Sequence, residues 1–172
     1  MKKYIFKKYD EKYPRLFQKE KAKLKKVLPK NVKIEHIGST AIKGLGGKGI
    51  IDIAISINKK GLGKAKDILE NNSYEFRPKG GNKNRLFFKK IYKYAEKEKI
   101  VHLHLIPHNS KDWKKDIAFR DHLRKDKKLL KKYEEIKKKA VKHAKEEGKK
   151  YRGYKNKFFK KIKWWKTKKD II

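Results

Sequence analysis

Apolar side chains recur at intervals of three and four residues in four segments of the chain, and this period predicts amphipathic helices. The segments are 13–28, 62–71, 113–123 and 126–148. Pro29 follows the first segment and Gly148 ends the last, as is common at the ends of helices. One helix is therefore expected near the start of the chain, one after the second predicted strand, and two in the C-terminal half.

Shorter apolar runs predict strands at 32–37, 50–57, 74–76, 85–94 and 99–106. The run 50–57 is almost continuously apolar, which predicts a central position in a sheet. The last two runs are rich in aromatic and β-branched residues and are joined by a charged turn, so we expect an antiparallel pair. The order of elements predicts an α+β fold with one sheet and helices packed on it.

The charge of the chain is extreme for a domain of 172 residues. Lysine and arginine number 54 against 19 acidic residues, so the formal net charge is +35. Such a field attracts phosphate-rich partners, which include nucleotides, RNA and anionic membranes. Lysine predominates, however, and a lysine-rich surface is equally typical of biased composition or of adaptation to heat.

Composition also limits the kind of site the chain can form. Cysteine is absent, which excludes disulfides and thiolate metal centres. No apolar run approaches the roughly 18 residues of a membrane span, so no transmembrane segment is expected. The N-terminus lacks the apolar core of a signal peptide. A soluble, cytoplasmic protein is the expectation.

The glycine-rich stretch 34–57, IEHIGSTAIKGLGGKGIIDIAISI, carries the strongest candidate chemistry. Gly38 and Ser39 follow a short strand, where backbone N–H groups and a hydroxyl could cradle a phosphate. A glycine–serine pair is also simply a good turn. Lys48 and Asp52 flank the start of the next strand, and a carboxylate on a rigid strand beside bound phosphate is suited to a divalent cation.

Several segments together resemble the GrpB family. They are EHIGSTAIKGLGGKGIIDI, the preceding YDEKYPRLFQKEKAKLKKVL, the later VHLHLIPHNSKDWKKDIAFRDHLRKD, and the helix KKYEEIKKKA. The resemblance runs from about residue 9 to about residue 145. It implies a nucleotidyltransferase-like fold of the DNA polymerase β type, with a mixed sheet flanked by helices and C-terminal helices.

The resemblance also implies an activity. In the wider superfamily, a Gly-Ser element precedes a strand with two acids one residue apart, and a third acid stands on a neighbouring strand. These acids hold Mg²⁺, which orients a nucleoside triphosphate. Gly38, Ser39 and Asp52 match, whereas Ala54 stands at the second acid. The resemblance therefore implies a metal-dependent nucleotidyltransferase that transfers a nucleoside monophosphate from NTP to an unknown acceptor, with Mg²⁺ or Mn²⁺.

His102 and His104 lie near the place expected for the third acid. Two residues apart on a strand, they project from one face. If Asp52 shares that face, one carboxylate and two imidazoles could hold a metal ion, and such ligands would suit Zn²⁺. One imidazole could instead act as a general base, or both could be hydrogen-bonded structural residues. Asp52, His102 and His104 are the catalytic and metal-binding candidates.

Basic and polar residues around this stretch are candidates for binding the phosphates of a nucleotide. They are His36, Gly38, Ser39, Thr40, Lys48 and Arg85. Glu35 and His36 alternate in direction, so only one can face the site, and His36 is predicted to do so. Arg120 and Asp121, in the segment FRDHLR, are weaker candidates, because charged side chains at i and i+4 commonly form a network on a helix face.

Two questions stay open at the level of sequence. Residues 1–148 are expected to form the domain, and the basic, aromatic tail 149–172 either packs on it as a helix or binds nucleic acid or an anionic membrane. The function could alternatively be that of a non-catalytic nucleotide- or RNA-binding module. Hydrolysis or another phosphoryl reaction at an Asp/His metal site is a third possibility.

Overall fold

A computed structural model of the protein describes residues 5–143, 150, 151, 153 and 154. Its four helices are α1 (Tyr13–Val27), α2 (Leu62–Asn71), α3 (Lys111–Lys125) and α4 (Lys127–His143). Its five strands are β1 (Lys33–Ile37), β2 (Ile51–Ile57), β3 (Glu75–Phe76), β4 (Leu86–Tyr94) and β5 (Lys97–Pro107). Short 3₁₀ turns cover Ser39–Ala41, Lys59–Gly61 and Pro78–Gly80.

The strands form one mixed sheet in the order β1-β2-β5-β4-β3. β2 and β5 are parallel, and the other pairs are antiparallel. β5, and not the more apolar β2, is therefore the middle strand, although β2 is interior as its composition indicates. The predicted α+β fold, a mixed sheet with flanking helices, is confirmed.

One face of the sheet carries the main hydrophobic core. The inward side chains of β2 and β5 on this face are Ile51, Ile53, Ile55, Ile57, Val101, Leu103 and Leu105. Leu16, Phe17 and Leu24 of α1 and Ala65 and Leu69 of α2 pack against them. Since these strands are buried on this face along their whole length, the face serves packing and leaves the opposite face for polar groups.

The opposite face carries Asp52 on β2 and both histidines on β5. Trp113 and Ile117 of α3 pack there on a small cluster that includes Ala54, which is fully buried. The position at which the family resemblance implies a second acid is thus part of an apolar contact in this chain. Asp52 lies beyond that contact, and a quarter of its side chain remains exposed.

The loop between β1 and β2 is held against the last two helices. Ile42 and Leu45 of this loop form a cluster with Leu123 of α3 and Tyr133 of α4. The pair of helices α3 and α4 therefore covers one side of the loop. A cleft remains between the loop, α4 and the Asp52 end of the sheet.

The helix predicted for 126–148 is described as far as His143. The predicted stop at Gly148 lies outside the described residues, as does most of the tail 149–172. Among the helices that the structure describes, none combines the length and the apolarity needed to cross a bilayer.

Candidate functional site

Asp52 and the two histidines meet on one face of the sheet. The parallel register sets His102 beside Asp52 and His104 beside Ala54. The Asp52 Oδ1 atom lies 3.3 Å from His102 Nδ1 and 3.8 Å from His104 Nε2. Burial alone would raise the pKa of Asp52, but hydrogen bonds from the two imidazoles and their charge bring that pKa well below its ordinary range. Asp52 is therefore ionised throughout the neutral range.

Arg85 lies behind His104 and not in the cleft. Its Nη1 atom is 3.5 Å from His104 Nδ1, and its Nη2 atom donates to Asp116 at 2.5 Å. A guanidinium group only donates, so His104 Nδ1 is the acceptor in this contact, and Nε2 is the ring nitrogen that faces Asp52. Arg85 was predicted to bind phosphate, but the structure brings it to the histidines and to Asp116.

The three predicted metal ligands come together, but they do not fit a resident metal centre. In the described part of the chain, no group of three or more His, Asp and Glu side chains is arranged to hold a metal ion. Asp52 is instead paired with the two imidazoles, at 3.3 Å and 3.8 Å, and Ala54 supplies no second carboxylate. A magnesium ion that arrives on a triphosphate is a different case, since it needs only one or two protein carboxylates.

The Gly38–Ser39 turn approaches Asp52 very closely. β1 ends at Ile37, which pairs with Asp52, and Gly38 follows with φ +70° and ψ −168°. A Cβ atom at Gly38 would lie 3.0 Å from the Cβ and Cγ atoms of Asp52 and would overlap its Oδ2 atom. Only glycine allows the main chain to pass the carboxylate in this way.

Two arginines of α3 hold this turn in place. Arg124 donates to the carbonyl of Ala41 from Nε at 3.1 Å and from Nη2 at 2.7 Å. Arg120 donates from Nη1 to Glu35 at 2.6 Å and to the carbonyl of His36 at 3.0 Å. The Nε atom of Arg120 also donates to the adjacent Asp121 at 2.8 Å. These long-range bonds make Arg120 a positioning residue for the turn.

The prediction that His36 faces the site is wrong. His36 pairs with Ile53 on the core face, where its ring stacks on Phe17 with centroids 4.5 Å apart. Its Nε2 atom lies 2.9 Å from the Thr40 hydroxyl, which donates to the carbonyl of Ile50. Glu35 is the residue of the pair that shares a face with Asp52. His36 and Thr40 are thus hydrogen-bonded within the packing of the loop.

The buried imidazole of His36 predicts an acid-sensitive contribution to stability. Burial lowers the pKa of His36 from 6.5 to about 4, although the charge of Asp52 raises it. Between these values the unfolded chain binds a proton that the native chain does not, so stability falls as the pH falls. Comparing urea unfolding at about pH 7 and about pH 4.5, we expect the wild type to lose about 2–3 kcal/mol more than His36→Gln. Equal losses in the two proteins would contradict this expectation.

Lys137 is the main residue that the sequence analysis missed. It is only 3% exposed, and its Nζ atom donates to the carbonyl of Gly46 at 2.6 Å. The N–H of Gly46 donates to Glu134 at 3.1 Å, so α4 holds both sides of this glycine. A Cβ atom at Gly47 would lie 2.5 Å from Ser39 Oγ and 2.6 Å from Lys137 Nζ, so the hydroxyl and the ammonium converge there.

A signal for Lys137 was present in the sequence. Tyr133, Lys137 and Ala140 follow one another at helical spacing, and all three are buried. A lysine on the apolar face of a helix is unusual because burial of an ammonium group is costly without polar partners. In a chain with so many lysines, this one was not distinguished from the exposed ones.

The cleft has two compartments that share a wall. The shared residues are Gly38, Ile42, Asp52, Phe119 and Tyr133. The first compartment, of about 90 Å³, adds Ser39, Leu45, Lys48, Ile50, Lys137 and Tyr151. The second, of about 250 Å³, adds Ile37, His104, Asp116 and Arg120. Asp52 therefore lies at the junction, with two lysines and a hydroxyl on one side and Asp116, Arg120 and His104 on the other.

Tyr133 completes this junction. Burial raises the pKa of the Tyr133 phenol, and the negative charge of Asp52 raises it further. The phenol thus stays protonated and remains a hydrogen-bond donor at neutral pH. Neither Tyr133 nor Phe119, whose ring meets it edge-on at 5.3 Å, was identified from the sequence.

A sequence profile described as "GrpB protein" matches residues 4–164. The chain belongs to the GrpB family. The glutamate-rich protein GrpB of Alkalihalophilus pseudofirmus is 32% identical over 138 residues, which are 76% of each chain. Its description as glutamate-rich does not carry over, because acidic residues here number 19 against 54 basic ones. The resemblance seen in the sequence is confirmed.

Solved structures agree with this assignment. The conserved protein GrpB from Enterococcus faecalis is 28% identical and superposes with a TM-score of 0.77, over 94% of this chain and 99% of that one. The Cid1 poly(U) polymerase in its MgGTP-bound form superposes with a TM-score of 0.50 at 15% identity, over 80% of this chain and 44% of that one. The second likeness shows that the GrpB fold is nucleotidyltransferase-like.

Proposed function

We propose that this GrpB protein is a nucleotidyltransferase that binds a magnesium–nucleoside triphosphate complex and transfers the nucleoside monophosphate to an acceptor. One observation carries the proposal. The Gly38–Ser39 turn, Lys48 and Lys137 line one compartment, and the ionised carboxylate of Asp52 forms its inner wall. Donors for phosphate oxygens and an anionic group beside them are the parts that such a transfer requires.

The first compartment supplies the groups that bind the phosphates. The Ser39 hydroxyl and the ammonium group of Lys137 converge beside Gly47. Lys48 lies over the ring of Tyr151 with its Nζ atom 5.0 Å from the ring centroid. Backbone N–H groups of the turn, a hydroxyl and two ammonium groups are the usual partners of phosphate oxygens. In this proposal they bind the β- and γ-phosphates.

Asp52 then lies beside the α-phosphate. The acceptor oxygen attacks the α-phosphorus, the bond to the pyrophosphate oxygen breaks, and the acceptor proton leaves to solvent. Asp52 would hold the magnesium ion that arrives with the triphosphate. The histidines keep the carboxylate ionised and oriented, and Gly38 lets the turn reach it.

NTP labelled at different phosphates distinguishes nucleotidyl transfer from phosphoryl transfer and hydrolysis. The full chain is incubated with Mg²⁺, a fractionated cell extract and NTP labelled at either the α- or the γ-phosphate. We expect α-label to appear in a product and unlabelled acceptor to be consumed, with γ-label released only as pyrophosphate. Transfer of γ-label to a product would indicate phosphoryl transfer, and release of labelled inorganic phosphate would indicate hydrolysis. Either result would contradict the proposal.

A binding module without turnover is the second candidate. It is favoured by Ala54, which is fully buried where a second metal-binding carboxylate would stand. In that case the protein binds NTP in the same compartment and neither label moves. If RNA is the ligand, its affinity falls steeply with salt, because displaced counterions dominate such binding.

Lys137 offers a test of the phosphate compartment that does not need an acceptor. We expect Lys137→Met to weaken binding of a non-hydrolysable NTP analogue by at least about tenfold, because a charged hydrogen bond to phosphate is lost. Lys139→Met removes the same charge from an exposed position of α4 and should change affinity by less than about twofold. Calorimetric titration at one salt concentration measures both.

A stability measurement accompanies this titration. Lys137 also donates to the carbonyl of Gly46, so Lys137→Met lowers stability by about 1–3 kcal/mol. Urea unfolding shows whether the variant is folded at the titration temperature. Where the methionine variant is not folded, Lys137→Arg, which keeps the charge, is titrated in its place. Equal affinities for the Lys137 and Lys139 variants would place the phosphates elsewhere.

A further inference from the structure

The second compartment differs in charge from the rest of the molecule. The chain has a net charge of +35, yet none of the described residues that line this compartment is a lysine. Two carboxylates, Asp52 and Asp116, line it together with His104 and with Arg120, whose guanidinium group is bonded to Glu35 and Asp121. A compartment without a lysine is less suited to a phosphate group than the first compartment, and it is better suited to a cation.

Carboxylates outnumber guanidinium groups in the ion pairs around this compartment. Five carboxylates meet three guanidinium groups on this side of the sheet, and Asp52 also meets the imidazoles of His102 and His104. They are Glu35, Asp52, Asp112, Asp116 and Asp121 with Arg85, Arg120 and Arg124. Arg120 is bonded to Glu35 and to Asp121, and Arg85 to Asp116. The arginines are thus committed to these carboxylates, and a bound cation would offset the remaining charge.

Asp116 is the group that such a cation would meet. Arg85 donates to its Oδ2 atom, and no bond to its Oδ1 atom is formed by the residues that the structure describes. Burial raises the pKa of Asp116, although the charge of Arg85 lowers it. A cation against Oδ1 would lower the cost of burying this carboxylate.

Apolar and aromatic groups define the remaining shape. Phe119 and Tyr133 lie edge to face, and Ile37 and Ile42 close the walls around them. Aromatic faces attract both cations and flat apolar groups. A volume of about 250 Å³ admits a small molecule. A carboxylate next to aromatic rings in a space of this size is chemically matched to a compact organic amine.

We propose that the second compartment binds a small organic ammonium compound with a flat apolar body, and that a hydroxyl of this compound is the acceptor. The role as acceptor site rests on the proposed function. In-line displacement requires the attacking and leaving oxygens to lie on opposite sides of the α-phosphorus. With pyrophosphate in the first compartment and Asp52 at the junction, the second compartment is the side from which the acceptor comes.

The transfer that follows is balanced without any further reactant. The hydroxyl oxygen of the amine compound forms a bond to the α-phosphorus, and the bond between that phosphorus and pyrophosphate breaks. The hydroxyl proton leaves to solvent. The ammonium group stays protonated at Asp116 and serves only to hold the acceptor.

Binding can be tested with three probes of one shape and different charge. Benzylammonium, benzyl alcohol and benzoate are titrated separately into the full chain, without nucleotide, and amide chemical shifts are followed by NMR. We expect benzylammonium to bind at least about tenfold more tightly than benzoate. A protein of charge +35 attracts benzoate everywhere else on its surface, so the opposite preference can arise only at a locally negative site.

Two variants locate that preference. Asp116→Asn should abolish the difference between benzylammonium and benzoate, and Phe119→Leu should weaken benzylammonium and benzyl alcohol together. Asp67→Asn, at an exposed position of α2, is the control and should change nothing. Urea unfolding checks each variant, and Phe119→Leu serves if loss of the Arg85 pair prevents Asp116→Asn from folding.

The outcomes separate this inference from the proposed function. Benzoate binding as tightly as benzylammonium, or a cation preference that persists in folded Asp116→Asn and Phe119→Leu, would overturn the inference. Neither result bears on nucleotide binding in the first compartment or on whether α-label is transferred to some other acceptor. Conversely, a cation preference at Asp116 in a protein that does not transfer α-label would keep the binding site and remove its role as acceptor site.

Discussion

Asp52→Asn should reduce nucleotidyl transfer by at least about a thousandfold, equivalent to roughly 4 kcal/mol of transition-state stabilisation. The substitution keeps the size of the side chain but removes the charge at the junction of the two compartments. It also removes the only carboxylate that lines the first compartment among the described residues. The measurement is the rate of α-label incorporation at saturating Mg²⁺–NTP, with Asp67→Asn as the matched control.

Stability measurements show whether the loss is chemical. Hydrogen bonds from His102 and His104 hold the pKa of Asp52 below its ordinary value of 3.8. The ionised group therefore stabilises the native chain above that pH, and this contribution is lost as the pH falls below it. At neutral pH we expect Asp52→Asn to cost about 1–2 kcal/mol and to remain folded. Transfer activity retained in the folded variant would exclude Asp52 from the chemistry.

Local sequence was sufficient for most of the secondary structure. The period of apolar residues placed α1, α2 and the two C-terminal helices, because each buries one stripe on the sheet or on the loop. The β4–β5 hairpin followed from two apolar runs and a short charged turn. The parallel pairing of β2 with β5 could not be read locally, since the strands are some forty residues apart in the chain and only packing brings them together.

The site was predicted less completely than the fold. Asp52, Gly38 and Ser39 stand in a recognisable pattern, and they meet at the cleft. The choice between Glu35 and His36 depended on which face of β1 is buried, and this is decided by α1, whose Phe17 stacks on His36. Arg85 was a surface cation in the sequence, whereas in the fold its partners are Asp116 and His104.

The residues missed altogether lie on α3 and α4. Lys137, Tyr133 and Phe119 line the cleft because the loop between β1 and β2 packs on these helices. That contact joins residues some ninety positions apart, as the bond from Lys137 to Gly46 shows. Long-range packing of this kind leaves little trace in local pattern, apart from a lysine on an otherwise apolar helix face.

The packing around Ala54 explains why no second acid stands at this position. Ala54 lies under Trp113 and Ile117, so a carboxylate there would be buried among apolar groups. The acidic groups nearest to this contact lie instead on α3 and β1, where Arg85 and Arg120 hold Asp116 and Glu35. The wall of the second compartment therefore has a carboxylate, Asp116, that comes from outside the strand of Asp52.

Gly38→Ala should be the most damaging single substitution in the turn, with a loss of about 3–4 kcal/mol in the free energy of unfolding. Gly38 has φ +70° and ψ −168°, a backbone conformation that is costly for any other residue, by about 1–3 kcal/mol. The new methyl group would also overlap the Asp52 carboxylate, which adds about 1–3 kcal/mol of overpacking. Urea unfolding at neutral pH measures the sum.

Gly44→Ala separates the two causes. Gly44 has φ +81°, but a Cβ atom there would have no neighbour within 4 Å, so backbone strain alone should cost about 1–2 kcal/mol. The excess loss in Gly38→Ala then contains the cost of displacing Asp52 and the additional strain of its ψ of −168°. Because that displacement also moves the carboxylate from the two imidazoles, transfer activity should fall in folded Gly38→Ala and remain in Gly44→Ala. Equal losses of stability in the two variants would mean that the turn does not press against Asp52 in solution.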